Sequence, residues 1–355
     1  MSESPNELIS RSEGTVNLEM PFASLRDFVT PNELFYVRCH FPIPEIVAQD
    51  WRLIVEGAVA TPLQLSYAEL ESMPQHSITA TVECAGNGRT FLRPKVNGVQ
   101  WDLGAVGNAE WSGVLLRDVL QRAEVNPGTV EAILEGADRG EIKEAPKPPG
   151  IIHYARSLPM EKAQSDVLLA LRMNGKPLTA SHGFPLRAVA PGWFGMAAVK
   201  WLQRIIVSEQ PFNGYYQSID YTFWKRRDGD LPSLHSLGEM PVKAQIARPE
   251  QGEVVAANKT YHIHGAAWGG EATVAKVELS FDDGSTWSKA TLLDEALENA
   301  WRFWEFEWKT PAQPGKTNVI ARATDSAGRT QPAERIADYG TYMINHWLPI
   351  AVEVR

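Results

Sequence analysis

Residues 79–89 read TATVECAGNGR. A β-branched run leads straight into Cys84, and only small residues separate that cysteine from Arg89. A strand that ends in small residues leaves a thiol able to face a cleft. Gly86 and Gly88 allow backbone to approach a bound group closely. Arg89 would favour the thiolate and attract an anion. A thiolate is a soft donor and suits a soft metal centre. The competing reading is a small buried hydrophobe, the common fate of a free cysteine. Other residue types capable of chemistry carry the same two readings. Arg38, in YVRC, is an anion ligand or a solvated edge charge. His182, before Gly-Phe-Pro, is a functional or a structural histidine. Trp101 and Tyr221 are pocket aromatics or core aromatics.

Composition limits what such residues can serve. The chain has 355 residues, 44% hydrophobic and 22% charged, which suits a folded protein of two domains. Only residues 1–12 are polar and serine-rich enough to read as a disordered tail. A net charge of -9 argues against nucleic acid as a partner, and a small anion would need a local basic pocket. Two cysteines, Cys39 and Cys84, exclude a disulfide framework and any site built from cysteines alone. No C-x-x-C-H attaches a c-type haem, so the expectation is no haem in this chain. No apolar run reaches the roughly 20 residues of a membrane span. No basic segment followed by an apolar stretch opens the sequence, so the expected compartment is cytoplasmic as written, or periplasmic if a signal was trimmed.

The elements that must position these side chains are mostly short strands. Helix signals occur at 112–123, with Ser112 as cap, and at 66–73, where Ser66 and Glu69 form a capping box and Pro74 ends the helix. Strand-like runs fall at 51–55, 78–82, 130–134, 186–190 and 205–207, separated by turns rich in the chain's 27 glycines and 24 prolines. Beyond about Met240 the pattern alternates, at 260–264, 274–281, 302–308 and 317–324. Asp282-Asp283-Gly284-Ser285 predicts a tight hairpin turn between two of these runs. The fold class expected is α+β: a mixed α/β domain over 1–240, then an all-β immunoglobulin-like sandwich over 241–355, with the boundary near 237–243.

Five blocks, in order between residues 31 and 221, resemble the sulfite oxidase family of molybdopterin oxidoreductases. They are FYVRCHFPIP at 35–44, CAGN-x-R at 84–89, SHGFPLR at 181–187, VKWL at 199–202 and YYQSIDY at 215–221. GAAWGG at 265–270 and DDGSTW at 282–287 resemble the family's dimerisation domain. The resemblance implies a molybdenum atom held by one pyranopterin dithiolene and one protein thiolate, that of Cys84. It implies that Tyr36, Val37, Arg38, Cys39, His40, Asp138, His182, Arg187, Ala198, Val199 and Lys200 cradle the molybdopterin, with Arg187 and Lys200 suited to its phosphate. It also implies Arg38, Arg89, Trp101 and Tyr221 as the substrate pocket, two guanidiniums holding the oxygens of sulfite.

The expected reaction is oxidation of sulfite to sulfate by oxo transfer, with electrons passed to an external acceptor such as cytochrome c or oxygen. The expected assembly is a homodimer. The same scaffold also fits a sulfane dehydrogenase subunit or a nitrate reductase-like enzyme, and a non-catalytic β-rich binding protein is the reading from another class. Lys225-Arg226-Arg227 is a solvated loop or a docking patch for an acidic electron acceptor. Two departures stand out. Cys39 replaces an asparagine common in relatives, and Gly88 replaces an arginine of animal and plant members.

Overall fold

A computed structural model of the protein describes residues 7–226, 231–293 and 295–355. The mixed α/β expectation for the first part holds: helices are few and short among many strands. One sheet runs Lys176–Pro177, Leu168–Met173, Val106–Leu115, His76–Glu83, with Arg187–Val189 pairing Leu168–Met173. A second runs Leu63–Ser66, Arg52–Gly57, Leu202–Ser208, Glu131–Glu141, Ile151–Pro159. Its one parallel pair joins Leu202–Ser208 to Arg52–Gly57. A small N-terminal sheet places Val37–Arg38 beside Asn17–Glu19. No helix among the described residues is long and apolar enough to cross a membrane.

Lys243–Arg248, Thr260–Trp268, Arg302–Lys309 and Thr291–Leu292 form one sheet of the C-terminal sandwich. Val254–Val255, Ile350–Val354, Gly315–Asp325, Val274–Ser280 and Ser288–Lys289 form the other. Alternation along these strands buries Ile263, Val277, Leu279, Trp304 and Val319 completely between the sheets.

Three local expectations need adjustment. The helix expected from Ser112 spans only Leu116–Ala123, and Ser112 does not cap it. Residues 112–115 instead finish the strand Val106–Leu115, whose pairing on both sides outweighs helical periodicity. Ser112 Oγ bonds Ser77 Oγ at 2.9 Å across the ladder. The loop after Val274–Ser280 is not a tight turn: strand pairing resumes only at Leu279–Ser288. Asp282 closes that wider loop by accepting from the Thr286 backbone and hydroxyl. The strand expected at 130–134 extends over Glu131–Glu141 and carries a register shift between Glu135 and Arg139. That irregularity contains Asp138, and bulges of this kind re-aim side chains beside active sites. The capping box at Ser66 and Glu69 forms as expected, on the helix Tyr67–Ser72.

Candidate active site

His76–Glu83 runs from the surface inward, and its last four residues are buried. Cys84 follows at the buried end, with its N–H donating to Ala105 O at 2.9 Å. Asn87 N–H donates back to Cys84 O at 2.9 Å, and the Asn87 side chain accepts from Ala105 N at 3.1 Å. The turn of small residues is thus fixed from both sides. Cys84 opens into a cavity with about 630 Å³ of atom-free space.

Ten of the residues expected from the sequence line that cavity: Tyr36, Arg38, His40, Cys84, Asp138, His182, Arg187, Ala198, Lys200 and Tyr221. Val37, Cys39 and Val199 are buried behind it. In the run around Arg38 the cause is strand alternation, which turns neighbouring side chains to opposite faces. Cys39 still contributes indirectly, since Lys200 Nζ lies 3.4 Å from its sulfur. Arg89 and Trp101, expected as pocket walls, are not among the residues that line this cavity. Arg89 is committed to backbone: Nη1 donates to Val99 O at 2.7 Å and Nε to Thr341 O at 3.2 Å. Its guanidinium fills the space that Gly86 and Gly98 leave open, where a Cβ on either would collide with it. Trp101 is fully buried in an apolar cluster beside Cys84.

Sequence reasoning missed Phe35, Ala85, Tyr154, Gly195, Met196 and Trp201, which also line the cavity. Gly195 had a physical reason to be there: a Cβ would approach the Tyr36 hydroxyl to 2.5 Å. Trp201 and Tyr221 both have positive φ, 49° and 51°, a costly conformation for a bulky residue. Neither feature leaves a local sequence signal.

The electrostatics are those of a buried, cation-rich chamber. Arg38, Arg187 and Lys200 face Asp138 as the one acid of the lining. Burial pulls the Arg187 guanidinium down to about 10 and lowers Lys200 as well. Burial, then the charges of Arg187 and Lys200, hold His182 at about 4. His40 is pushed well below its usual range by burial and by Arg38 and Lys200, so it is neutral. Its Nε2 lies 2.6 Å from the Tyr221 hydroxyl. Burial raises the Tyr221 phenol, which keeps its proton at neutral pH. Burial raises the Cys84 thiol too, while Arg38, the Gly86 amide and Arg89 pull it back. The arrangement brings cations able to hold an anion, a proton donor and a soft donor atom to one cavity.

Tyr342, from the C-terminal part of the chain, closes the wall behind Tyr221. Its ring lies 4.9 Å from that of Tyr221, under the Arg89 guanidinium at 5.3 Å. Its hydroxyl donates to Asp220, which also accepts from Tyr221 N at 2.9 Å. Tyr342→Phe keeps the ring and removes one hydrogen bond to a charged group. Its expected cost is about 1–2 kcal/mol by urea unfolding, with Tyr221 less firmly held. No change in stability would show that the Asp220 contact contributes nothing.

The residues present fit a bound molybdopterin. Among the described residues no three His, Cys, Asp or Glu side chains gather around a bare ion, so a metal at Cys84 needs further donors from a bound group. Two buried polar atoms of the lining, Asp138 Oδ1 and Arg187 Nε, have no partner in the protein. Such atoms are costly unless a ligand meets them. One is an acceptor for ring N–H groups and the other a donor to an anion.

A thiolate at the floor of a cationic cavity, in a mixed α/β body followed by a β-sandwich, defines a molybdopterin-binding oxidoreductase. Comparison with known proteins agrees. Residues 40–216 match the oxidoreductase molybdopterin binding domain, and residues 235–355 match the Mo-co oxidoreductase dimerisation domain. The chain is 35% identical to the mitochondrial sulfite oxidase of Rattus norvegicus over 97% of its length, spanning 65% of that protein, just under two thirds. It is 38% identical to sulfite oxidase of Gallus gallus over 90% of its length, spanning 72% of that protein. The crystal structure of the sulfane dehydrogenase SoxCD from Paracoccus pantotrophus superposes with a TM-score of 0.82 at 27% identity, covering 97% of this chain and 87% of that one. The chain belongs to the sulfite oxidase family of molybdopterin oxidoreductases.

Proposed function

We propose that this protein oxidises sulfite to sulfate at a molybdenum centre whose protein ligand is Cys84, and passes the electrons to an external acceptor. The observation that carries the reading is the shared cavity of Cys84, Arg38, His40 and Tyr221. When bound, the molybdenum centre supplies the oxygen atom and takes up the electron pair. Arg187 and Lys200 would hold the phosphate of the cofactor, and Asp138 and His182 its ring nitrogens. Arg38 attracts the anion and orients it by charge-assisted hydrogen bonds. Asn17 Oδ1 steadies that guanidinium, accepting from Nη1 at 3.1 Å. Tyr221 can donate to a substrate oxygen, its hydroxyl oriented by His40 Nε2 at 2.6 Å. The largely buried lining lowers the local dielectric and strengthens each contact.

Homodimer formation through the C-terminal sandwich belongs to the same proposal. A second reading, a sulfur compound other than sulfite, has one observation behind it. Arg89 donates to two backbone carbonyls, and the arginines that line the cavity with Cys84 and Tyr221 are Arg38 and Arg187. Steady-state assays with sulfite and with thiosulfate, against ferricyanide, cytochrome c and oxygen, separate the two, run with molybdenum analysis. Arg38→Gln should lower kcat/KM for sulfite by about ten- to a hundredfold, mainly through KM, as expected for losing 1.5–3 kcal/mol of charged hydrogen bonding. An unchanged KM would remove Arg38 from the pocket.

Lys225 and Arg226 are exposed, but Lys225 ends the paired strand Thr222–Lys225 rather than lying in a loop, and Arg226 pairs with Asp338 at 3.1 Å. Arg227 lies outside the described residues.

A further inference from the structure

Glu83, the residue before Cys84, is 3% exposed, and its partner is a lysine of the sandwich strand Lys243–Arg248. Lys243 is 2% exposed, and its Nζ lies 2.8 Å from Glu83 Oε1. Trp268 Nε1, from Thr260–Trp268, donates to the other carboxylate oxygen at 2.9 Å. Asn87 Nδ2 donates to Glu83 Oε1 at 3.1 Å and to Gln245 Oε1 at 3.0 Å. Lys243 Nζ also reaches Asn87 O at 3.4 Å, and Met343 N donates to Ala85 O at 2.9 Å. Residues on both sides of Cys84 are therefore gripped by the C-terminal part of the chain.

Stability alone does not account for this pair. Desolvating two ions is expensive, and apolar replacements of buried pairs are often neutral or stabilising. Position offers a reason. A lone carboxylate one residue from a metal-bound thiolate would oppose charge build-up there, and in a dry interior that effect is strong. A lysine within hydrogen-bond reach cancels it, and its bonds to Glu83 Oε1 and Asn87 O fix the strand end.

We propose that Lys243 is a positioning residue for Cys84, acting through Glu83, so that the sandwich sets the placement and the charge environment of the metal ligand. The inference rests on Cys84 being that ligand. Removing either charge should then move the midpoint potential of the molybdenum centre, in opposite directions. Glu83→Gln leaves a buried cation that favours the reduced centre and raises the potential. Lys243→Met leaves a buried anion and lowers it.

The test uses full-length protein loaded with molybdenum, followed by EPR-monitored redox titration. Glu83→Gln and Lys243→Met are both read at neutral pH. Each is compared with the neutral double variant Glu83→Gln/Lys243→Met at the same pH. If one single variant fails to fold, the other still decides. Lys243→Met should also lose molybdenum on dialysis faster than the double variant. A single variant with the potential of the double variant overturns the proposal. Failure of the parent reading looks different: Cys84→Ser would keep the same number of sulfur ligands by X-ray absorption.

Discussion

Cys84→Ser is expected to abolish sulfite oxidation while leaving the fold unchanged. Serine is smaller than cysteine, and the site has room for it. The strand His76–Glu83, the amide bond to Ala105 and the Asn87 contacts are all backbone or neighbouring side-chain interactions that the substitution leaves in place. What changes is the donor. A hydroxyl is harder and far less acidic than a thiol, so the cavity loses its thiolate donor. The expected loss in kcat is at least on the order of 10³-fold, equivalent to about 4 kcal/mol of barrier. Circular dichroism and urea midpoints should match the parent. Cofactor retained by Arg187, Lys200 and Asp138 would dissociate more readily without the covalent anchor. Near-normal turnover in the variant would defeat the assignment of Cys84.

How far the sequence announced this site depends on which residues are asked about. Cys84 and its small neighbours read locally as a ligand or as a small buried hydrophobe, and only the ordered blocks around CAGN-x-R favoured the ligand. The cavity's cations were readable only through five spaced blocks, since Arg187 or Lys200 alone is indistinguishable from a surface charge. Tyr154 and Met196 were silent. They reach the cavity from the strand Ile151–Pro159 and the 3₁₀ turn Gly195–Ala197, and Tyr154 OH donates to Met196 O at 2.7 Å. Nothing local distinguishes them from core residues. Arg89 shows a contact no local pattern announces: its guanidinium occupies the space that Gly86 and the more distant Gly98 leave open. Glu83 and Lys243 could not be paired from sequence, because their contact spans 160 positions across the two parts of the chain.

The same logic of a chamber built for an absent anion and its donors predicts how cofactor-free protein responds to pH. Asp138 is 4% exposed, and burial, only partly offset by Lys200, raises its carboxyl from 3.8 to about 7. The folded chain therefore holds a proton on Asp138 over a range where the unfolded chain has released it. Stability contributed by this group falls as pH rises from about 4 to about 7, then levels off. Three pH units at 1.36 kcal/mol each set the full effect at about 4 kcal/mol. Glu19, raised to about 7 by burial against the pull of Arg11, slopes the same way. His182 and His346, lowered to about 4 mainly by burial, slope oppositely and gain stability as pH rises toward 6.5. The raw pH profile mixes these terms, so the difference between Asp138→Asn and parent is the informative quantity. That difference should favour the variant and grow by roughly 2–3 kcal/mol between pH 5 and pH 8 in urea unfolding of cofactor-free protein. Bound cofactor, by meeting Asp138 Oδ1 with an N–H donor, should reverse the order, leaving the variant with weaker retention. A difference independent of pH would mean that Asp138 is ionised in the empty cavity, and that its unpartnered oxygen is not the acceptor the cofactor meets.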